Sequence, residues 1–302
     1  MRRKTACFRL TPYSARLAGS NMESQKKFKR CFSFEFFPPS TPEGEAKLAD
    51  TAKQLAQLQP EFFSVTYGAG GSTRERTLRA VLRLCEAGYA AAPHISCIGS
   101  SRELVREMLQ RYREHGIRHL VALRGDLPSG TAATGEFPYA CELVRFIREE
   151  FGQHFFIEVA AYPEYHPQAR SAQDDLKNFK RKVEAGANSA ITQYFYNADG
   201  YYHFVDECDA MGIDIPIVPG VMPIGRFSQL ARFSDACGAE IPRWIRKKLE
   251  GYGDDVASIR AFGLDVVTAL CDELLRNGAP GLHFYTLNQA GLTTIIWQRL
   301  GL

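Results

Sequence analysis

The sequence predicts an α/β fold, a closed (β/α)8 TIM barrel, and three observations point there. From Cys31 onward eight short apolar runs alternate with amphipathic stretches, at about the spacing of a βα unit. Eight is the number that closes a parallel sheet into a barrel. No G-x-G-x-x-G follows the first run, so the competing open, doubly wound sheet lacks its usual fingerprint. Gly68-Ala-Gly-Gly71 follows the second run, but without the fingerprint spacing.

The predicted strands are 32–37, 62–67, 91–97, 119–123, 155–161, 190–194, 215–219 and 282–285. Between the first and second, a helix over 43–58 follows Pro38-Pro-Ser-Thr-Pro42. Ser72 or Thr73 can cap the next, over 74–87, and Gly88 ends it. Ser100 or Ser101 can cap a helix over 102–115, with Gly116 at its stop. Ser171 can cap one over 172–185, ended by Gly186. That helix carries Leu176, Phe179 and Val183 on one face, at helical spacing. The long gap before the eighth strand leaves room for two extra helices, at 227–237 and 242–250, ahead of a main helix over 256–277.

The chain has 302 residues, enough for one large barrel core, with an ordinary soluble composition. Its net charge of +3 is uneven. Residues 1–30 hold nine Lys and Arg against Glu23 alone, leaving the body acidic. The basic balance therefore argues for no nucleic-acid surface on the body. Residues 1–30 are read as a disordered basic extension, with Met22 as an alternative start. Their Arg-rich, acid-poor makeup loosely matches a transit peptide. The eight cysteines form no C-x-x-C pair, which fits free thiols in a cytoplasmic protein and predicts neither disulfides nor a metal. No apolar run is long enough to cross a bilayer.

In a barrel, function gathers where strands end at their C-terminal side. There the sequence places Glu35, Thr66 and Tyr67, His94, Arg124-Gly-Asp126, Tyr162 with His166, and Gln193. Glu35 stands out. Alternation puts Phe32, Phe34 and Phe36 under the helices and turns Ser33, Glu35 and Phe37 inward. A carboxylate inside a barrel loses hydration, which disfavours its anion and suits a general acid. Pairing with an arginine or a backbone amide is the structural alternative. Asp126 by itself is equally a turn-capping residue. His94 reads as readily as a structural hydrogen-bonding group. Asp175, Asn178 and Lys182, with Arg181 nearby, form a second stripe on the 172–185 helix. Such a stripe is either a solvated face or a grip for ribose and diphosphate.

Taken together, eight motifs in order resemble the methylenetetrahydrofolate reductases. They are Phe34-Glu-Phe-Phe-Pro-Pro39, Ser64-Val-Thr-Tyr-Gly-Ala69, Ala92-Pro-His94, Val121-Ala-Leu-Arg-Gly-Asp126 and Val159-Ala-Ala-Tyr-Pro-Glu164. Lys180-Arg-Lys182 with Ala185-Gly-Ala-Asn188, Ile191-Thr-Gln193 and His283-Phe-Tyr-Thr-Leu-Asn288 complete the set. The chain resembles the bacterial single-domain form, for which no adenosylmethionine inhibition is expected.

The resemblance implies non-covalent FAD. Its expected contacts are Thr66, Tyr67, Ala69, His94, Arg124, Gly125, Asp126, Tyr139, Ala140, Tyr162, His166, Ala169, Asp175, Asn178, Arg181 and Lys182. It implies NADH or NADPH as hydride donor, methylenetetrahydrofolate as substrate, and a ping-pong order in which both use one place. Glu35 would be the general acid and Asp126 the charge that favours the folate cation, both also touching substrate. Gln193 and Phe227 would contact the folate. Gln289 stands where many family members carry an arginine able to pair with the glutamate tail. The resemblance also implies a homo-oligomer without membrane or nucleic-acid partners. Another pterin- or flavin-binding barrel enzyme, or a folate-binding barrel without turnover, is the alternative.

Overall fold

A computed structural model describes residues 22–67, 71–125 and 135–302, except for the side chains of 71–73. Eight parallel strands close into a barrel in the order β1 to β8. They are β1 (Cys31–Phe36), β2 (Phe62–Val65), β3 (Ala91–Ser96), β4 (His119–Leu123), β5 (Phe156–Ala161), β6 (Ser189–Tyr194), β7 (Ile217–Val221) and β8 (Gly281–Tyr285). Each predicted strand is present, most within two residues of its expected ends. Closure pairs β1 with β8, and it sets Ser33 beside His283 and Glu35 beside Tyr285.

The helices are α1 (Glu23–Lys26), α2 (Pro42–Ala56), α3 (Gly71–Glu86), α4 (Arg102–Glu114), α5 (Ala140–Phe151), α6 (Ala172–Glu184), α7 (Ala198–Ala210), α8 (Phe227–Cys237), α9 (Arg243–Tyr252), α10 (Val256–Arg276) and α11 (Gly291–Leu300). Local chemistry fixes their starts. Thr41 accepts from the Gly44 amide ahead of Pro42, and Ser101 and Ser171 accept from the amides of Leu104 and Asp174. The expected cap at Ser72 or Thr73 is corrected: α3 already begins at Gly71, so both lie in its first turn.

Strand alternation divides the core in two. Outward-facing Phe34, Phe36, Phe63 and Phe284 pack beneath the helices, Phe34 reaching Trp297 of α11 with ring centroids 5.8 Å apart. Phe62, Ala92, Val121 and Ile191 fill the barrel itself. On that interior, the ring of Phe62 packs on His119, which lies 3.1 Å from Glu158. A registry shift between Ile191 and Tyr194 interrupts the β6–β7 pairing. There the Gly220 amide donates to Thr192 Oγ1 and the Tyr285 hydroxyl to the Thr192 carbonyl. Gly220 has no room for a side chain: a Cβ would lie 2.1 Å from that carbonyl and 2.7 Å from the Tyr285 ring.

The expectation that nothing before Cys31 packs is corrected for residues 22–30. Met22 is buried, and its amide donates to the Asn277 carbonyl. Gln25 is 1% exposed. Its side-chain oxygen accepts from the Ile217 amide, and its nitrogen donates to the Ile215 carbonyl. Gln25→Ala strands that buried amide and is expected to cost about 1–3 kcal/mol in unfolding free energy. Urea denaturation with unchanged stability would rule this out. Residues 1–21 lie outside the described residues.

Candidate active site

The C-terminal ends of the strands form a cleft centred on Glu35. β1 carries its carboxylate inward, 8% exposed. His94 from β3 and His283 from β8 flank it, their Nε2 atoms 3.3 and 3.6 Å from Glu35 Oε2. Neither approach has hydrogen-bond geometry, so both Nε2 atoms are buried without a hydrogen-bond partner. Unsatisfied buried polar atoms are rare and need a reason. Here both face one carboxylate. Ser33 Oγ and His283 Nδ1 share a hydrogen bond of 2.7 Å, which ties that imidazole to β1.

The loop after β8 holds the Glu35 strand in place. Thr286 Oγ1 donates to the Glu35 carbonyl at 2.6 Å. Asn288 makes a two-way clasp with Phe37: its Oδ1 accepts from the Phe37 amide, and its Nδ2 donates to the Phe37 carbonyl. Phe37 itself, expected to point inward, stands 41% exposed at the mouth, where the strand has ended.

Burial pushes the His94 imidazole down to about 4, against the upward pull of Glu35 and with a further push from His283. His94 is therefore neutral at pH 7 and forms no ion pair with the carboxylate. Between about pH 6.5 and 4 the unfolded chain binds this proton and the folded one does not, so stability rises with pH across that window. Acidification is expected to remove up to roughly 3 kcal/mol through this group. His94→Gln should flatten the dependence of the thermal midpoint on pH between 7 and 4. An unchanged dependence would refute the assignment. Burial likewise pushes the Tyr285 hydroxyl well above its ordinary value, with the Glu35 charge adding to the effect.

A second group of predicted residues lies along α6 and the loops after β4 and β5. His166 and Tyr162 stack edge to face, ring centroids 4.6 Å apart. The His166 amide donates to Asp175 at 2.9 Å, and the Ala169 amide to the His166 carbonyl. Arg181 donates to Asn178 at 2.9 Å, and Lys182 to the Ala160 carbonyl. Arg124 bonds the Gln168 side chain and the Gly125 carbonyl. Tyr139 precedes α5, which begins at Ala140, and its amide donates to the Glu142 carboxylate at 3.1 Å. Burial pushes the Lys182 ammonium down to about 8, although Asp175 pulls it upward.

The remaining predicted residues rim the cleft. Thr66 donates its amide to the Phe36 carbonyl, and the Tyr67 hydroxyl accepts from Arg74. Gln193 turns its side-chain oxygen back to the Tyr194 amide at the β6 irregularity. Phe227 opens α8 beneath the Arg246 guanidinium. Gln289 is exposed after β8. Ala69 and Asp126 lie outside the described residues. Sequence reasoning placed His283, Tyr285 and Thr286 in a motif but gave none of them a role. The available signal was the two-residue spacing of a His and a Tyr in the strand that closes on β1.

Among the described residues no His, Cys, Asp and Glu group could hold a metal ion, and no helix is long and apolar enough to cross a membrane. A recess of about 300 Å³ between α3 and α4, lined by Arg74, Leu78, Met108 and Tyr112, does not include Glu35.

The 5,10-methylenetetrahydrofolate reductase of Salmonella typhimurium is 44% identical over 270 residues, covering 89% of this chain and 90% of that protein. An Arabidopsis thaliana protein named methylenetetrahydrofolate reductase (NADH) 1 is 37% identical over 285 residues, or 90% of this chain and 48% of its own length. A Clostridium thermocellum protein, solved with two copies of 5-methyl-5,6,7,8-tetrahydrofolic acid, superposes with a TM-score of 0.64. It covers 93% of this chain and 98% of its own, and at 14% identity it supports the fold alone. A family model described as methylenetetrahydrofolate reductase matches residues 21–301, nearly the whole chain, which therefore belongs to that family.

Proposed function

We propose that this protein reduces 5,10-methylenetetrahydrofolate to 5-methyltetrahydrofolate with NADH or NADPH, by way of non-covalent FAD, in a ping-pong order that supplies methyl groups for methionine synthesis. The observation that carries the reading is Glu35, a carboxylate buried at the end of β1 between two imidazoles whose facing nitrogens have no other partner.

The residues along α6 fit a flavin dinucleotide. Lys182 is a half-buried cation whose ammonium is desolvated and pushed down to about 8. A diphosphate would supply counter-charge. Arg181 and Arg124 would add cations, and Asp175 with Asn178 would accept from ribose hydroxyls. Bound there, the flavin would relay hydride from nicotinamide to folate. Thr66, Tyr67, His94, Gly125, Tyr139, Ala140, Tyr162, His166 and Ala169, with Ala69 from the resemblance, would line its path.

Glu35 would donate a proton to the folate ring nitrogen that leaves the methylene bridge, opening the five-membered ring and readying that carbon for hydride. Neutral His94 leaves the carboxyl free of a fixed counter-cation on that side. Ser33, donating to Nδ1, would keep the His283 proton on Nε2, directed at the carboxyl. The negative charge of Asp126 would favour the opened, cationic folate. The free amide nitrogen of Gln193 suits the pterin or nicotinamide carboxamide in turn, and Phe227 would pack on the folate.

The test is an anaerobic visible spectrum of the purified protein, then of the same sample after NAD(P)H and after methylenetetrahydrofolate. An oxidised-flavin band that bleaches with nucleotide and returns with folate is expected. A colourless protein that takes up no added FAD would refute the proposal.

A further inference from the structure

We propose that the recess between the β7–α8 loop and α10 is an anion subsite, with Arg226 and Arg260 as its cations, that holds the carboxylates at the far end of the substrate. The inference rests on the folate reading above, because a reduced folate carries its ring at one end and glutamate carboxylates at the other.

The recess measures about 50 Å³. It has room for more than one water, and so for a carboxylate rather than a ring system. Its polar lining is Arg226, Arg260, Gln229, Gln289, Tyr285, Thr286 and Thr293, and it contains no Asp or Glu. The two guanidinium groups are thus its only formal charges. Among the described residues neither Arg226 nor Arg260 has an ion-pair partner. The other arginines of α10 and α11 do: Arg276 pairs with Asp272 and Arg299 with Asp265. Guanidinium forks match carboxylates in shape as well as charge.

Two further features tie this recess to the Glu35 cleft. Tyr285 and Thr286 line both, with Thr286 Oγ1 bonded to the Glu35 carbonyl. A substrate with its ring at Glu35 thus has a wall leading directly to the two arginines. The subsite is also held together by backbone. Gly263, one turn beyond Arg260 on α10, sits against Ile224, two residues before Arg226. A Cβ there would meet the Ile224 carbonyl oxygen at 2.7 Å. Only a glycine lets α10 come this close to the loop, so the helix and loop that carry the two arginines meet directly. Gln289, on the third side, contributes an amide and no charge.

Because both arginines are exposed, their pull is modest individually and screened by salt. We would compare wild type, Arg226→Ala, Arg260→Ala and the double variant, using methylenetetrahydrofolate with one and with three glutamates. The double variant should raise KM for the triglutamate about tenfold at low salt. Its kcat should change less than about twofold, and bleaching by NAD(P)H should be unaffected. High salt should erase the difference, and Arg→Lys at both positions should restore part of it. Equal KM in wild type and double variant at low salt would overturn the proposal. In parallel, p-aminobenzoyl-triglutamate would be titrated into the holoenzyme by calorimetry. Binding lost in the double variant supports the subsite even if wild type turns over no folate, a result that would instead refute the proposed function. Absent or arginine-independent binding of this fragment overturns the subsite.

Discussion

Glu35→Gln is expected to yield a folded, yellow protein that NAD(P)H still bleaches but that methylenetetrahydrofolate no longer re-oxidises. The substitution keeps the shape and removes the transferable proton. Neighbouring His94 is neutral and cannot take over as acid, because burial holds it at about 4. A positioned general acid contributes roughly a hundredfold to ten-thousandfold, and the folate half-reaction should slow by that order. Stability should change little or rise, since an amide brings no charge into a buried place. Rapid-mixing absorbance separates the two half-reactions. Folate re-oxidation at the wild-type rate would remove Glu35 from the role of acid.

Lys182→Met should divide the holoenzyme from the apoenzyme. In the apoprotein Lys182 is a half-buried cation with too little counter-charge, and desolvation pushes it to about 8 from 10.5. Between those values the unfolded chain holds the proton and the folded chain releases it. Apoprotein stability should therefore rise as pH climbs from 8 to 10.5. Methionine fills similar space without charge, so it should abolish this slope and raise the apoprotein's thermal midpoint at pH 7. Flavin affinity should move the other way, falling roughly tenfold to a hundredfold for one lost charge-assisted contact. Thermal melts across pH, with and without added FAD, measure both effects. An apoprotein destabilised by Lys182→Met, or FAD bound as tightly as in wild type, would contradict the account.

The barrel was readable because each strand is a short apolar run bounded by turn or cap signals, and a closed parallel sheet buries both faces of such runs. Helices α1, α5, α7 and α11 were not delimited. Of these, α7 mixes Gly200 with Tyr201, Tyr202 and Phe204, and α11 runs Thr293-Thr-Ile-Ile296, whose β-branched residues favour a strand. Tertiary packing overrides that preference by burying Ile296 and Trp297 against β1. Glu35 was legible because a charge on the inward face of a strand is conspicuous within one short segment. His283 was not, because its meaning depends on a register 250 residues away. The packing of residues 22–30 was hidden for a related reason. Gln25 is buried by two hydrogen bonds to a distant strand, which hydropathy cannot signal.

Closure of the barrel through the β1–β8 pair sets the order in which this enzyme can become competent during its synthesis. Ser33 and Glu35 leave the ribosome early, whereas His283, Thr286 and Asn288 follow about 250 residues later. Until they arrive, the first strand has an open edge and its carboxylate lacks both an imidazole neighbour and the clasp on Phe37. A nascent chain, or a fragment cut short before the eighth strand, therefore carries most of the helices and cation-bearing α6 but lacks the assembled surroundings of Glu35. Contacts of such sequence separation form late and are lost together. Truncation ahead of Gly281 should thus be as damaging to turnover as loss of Glu35 itself.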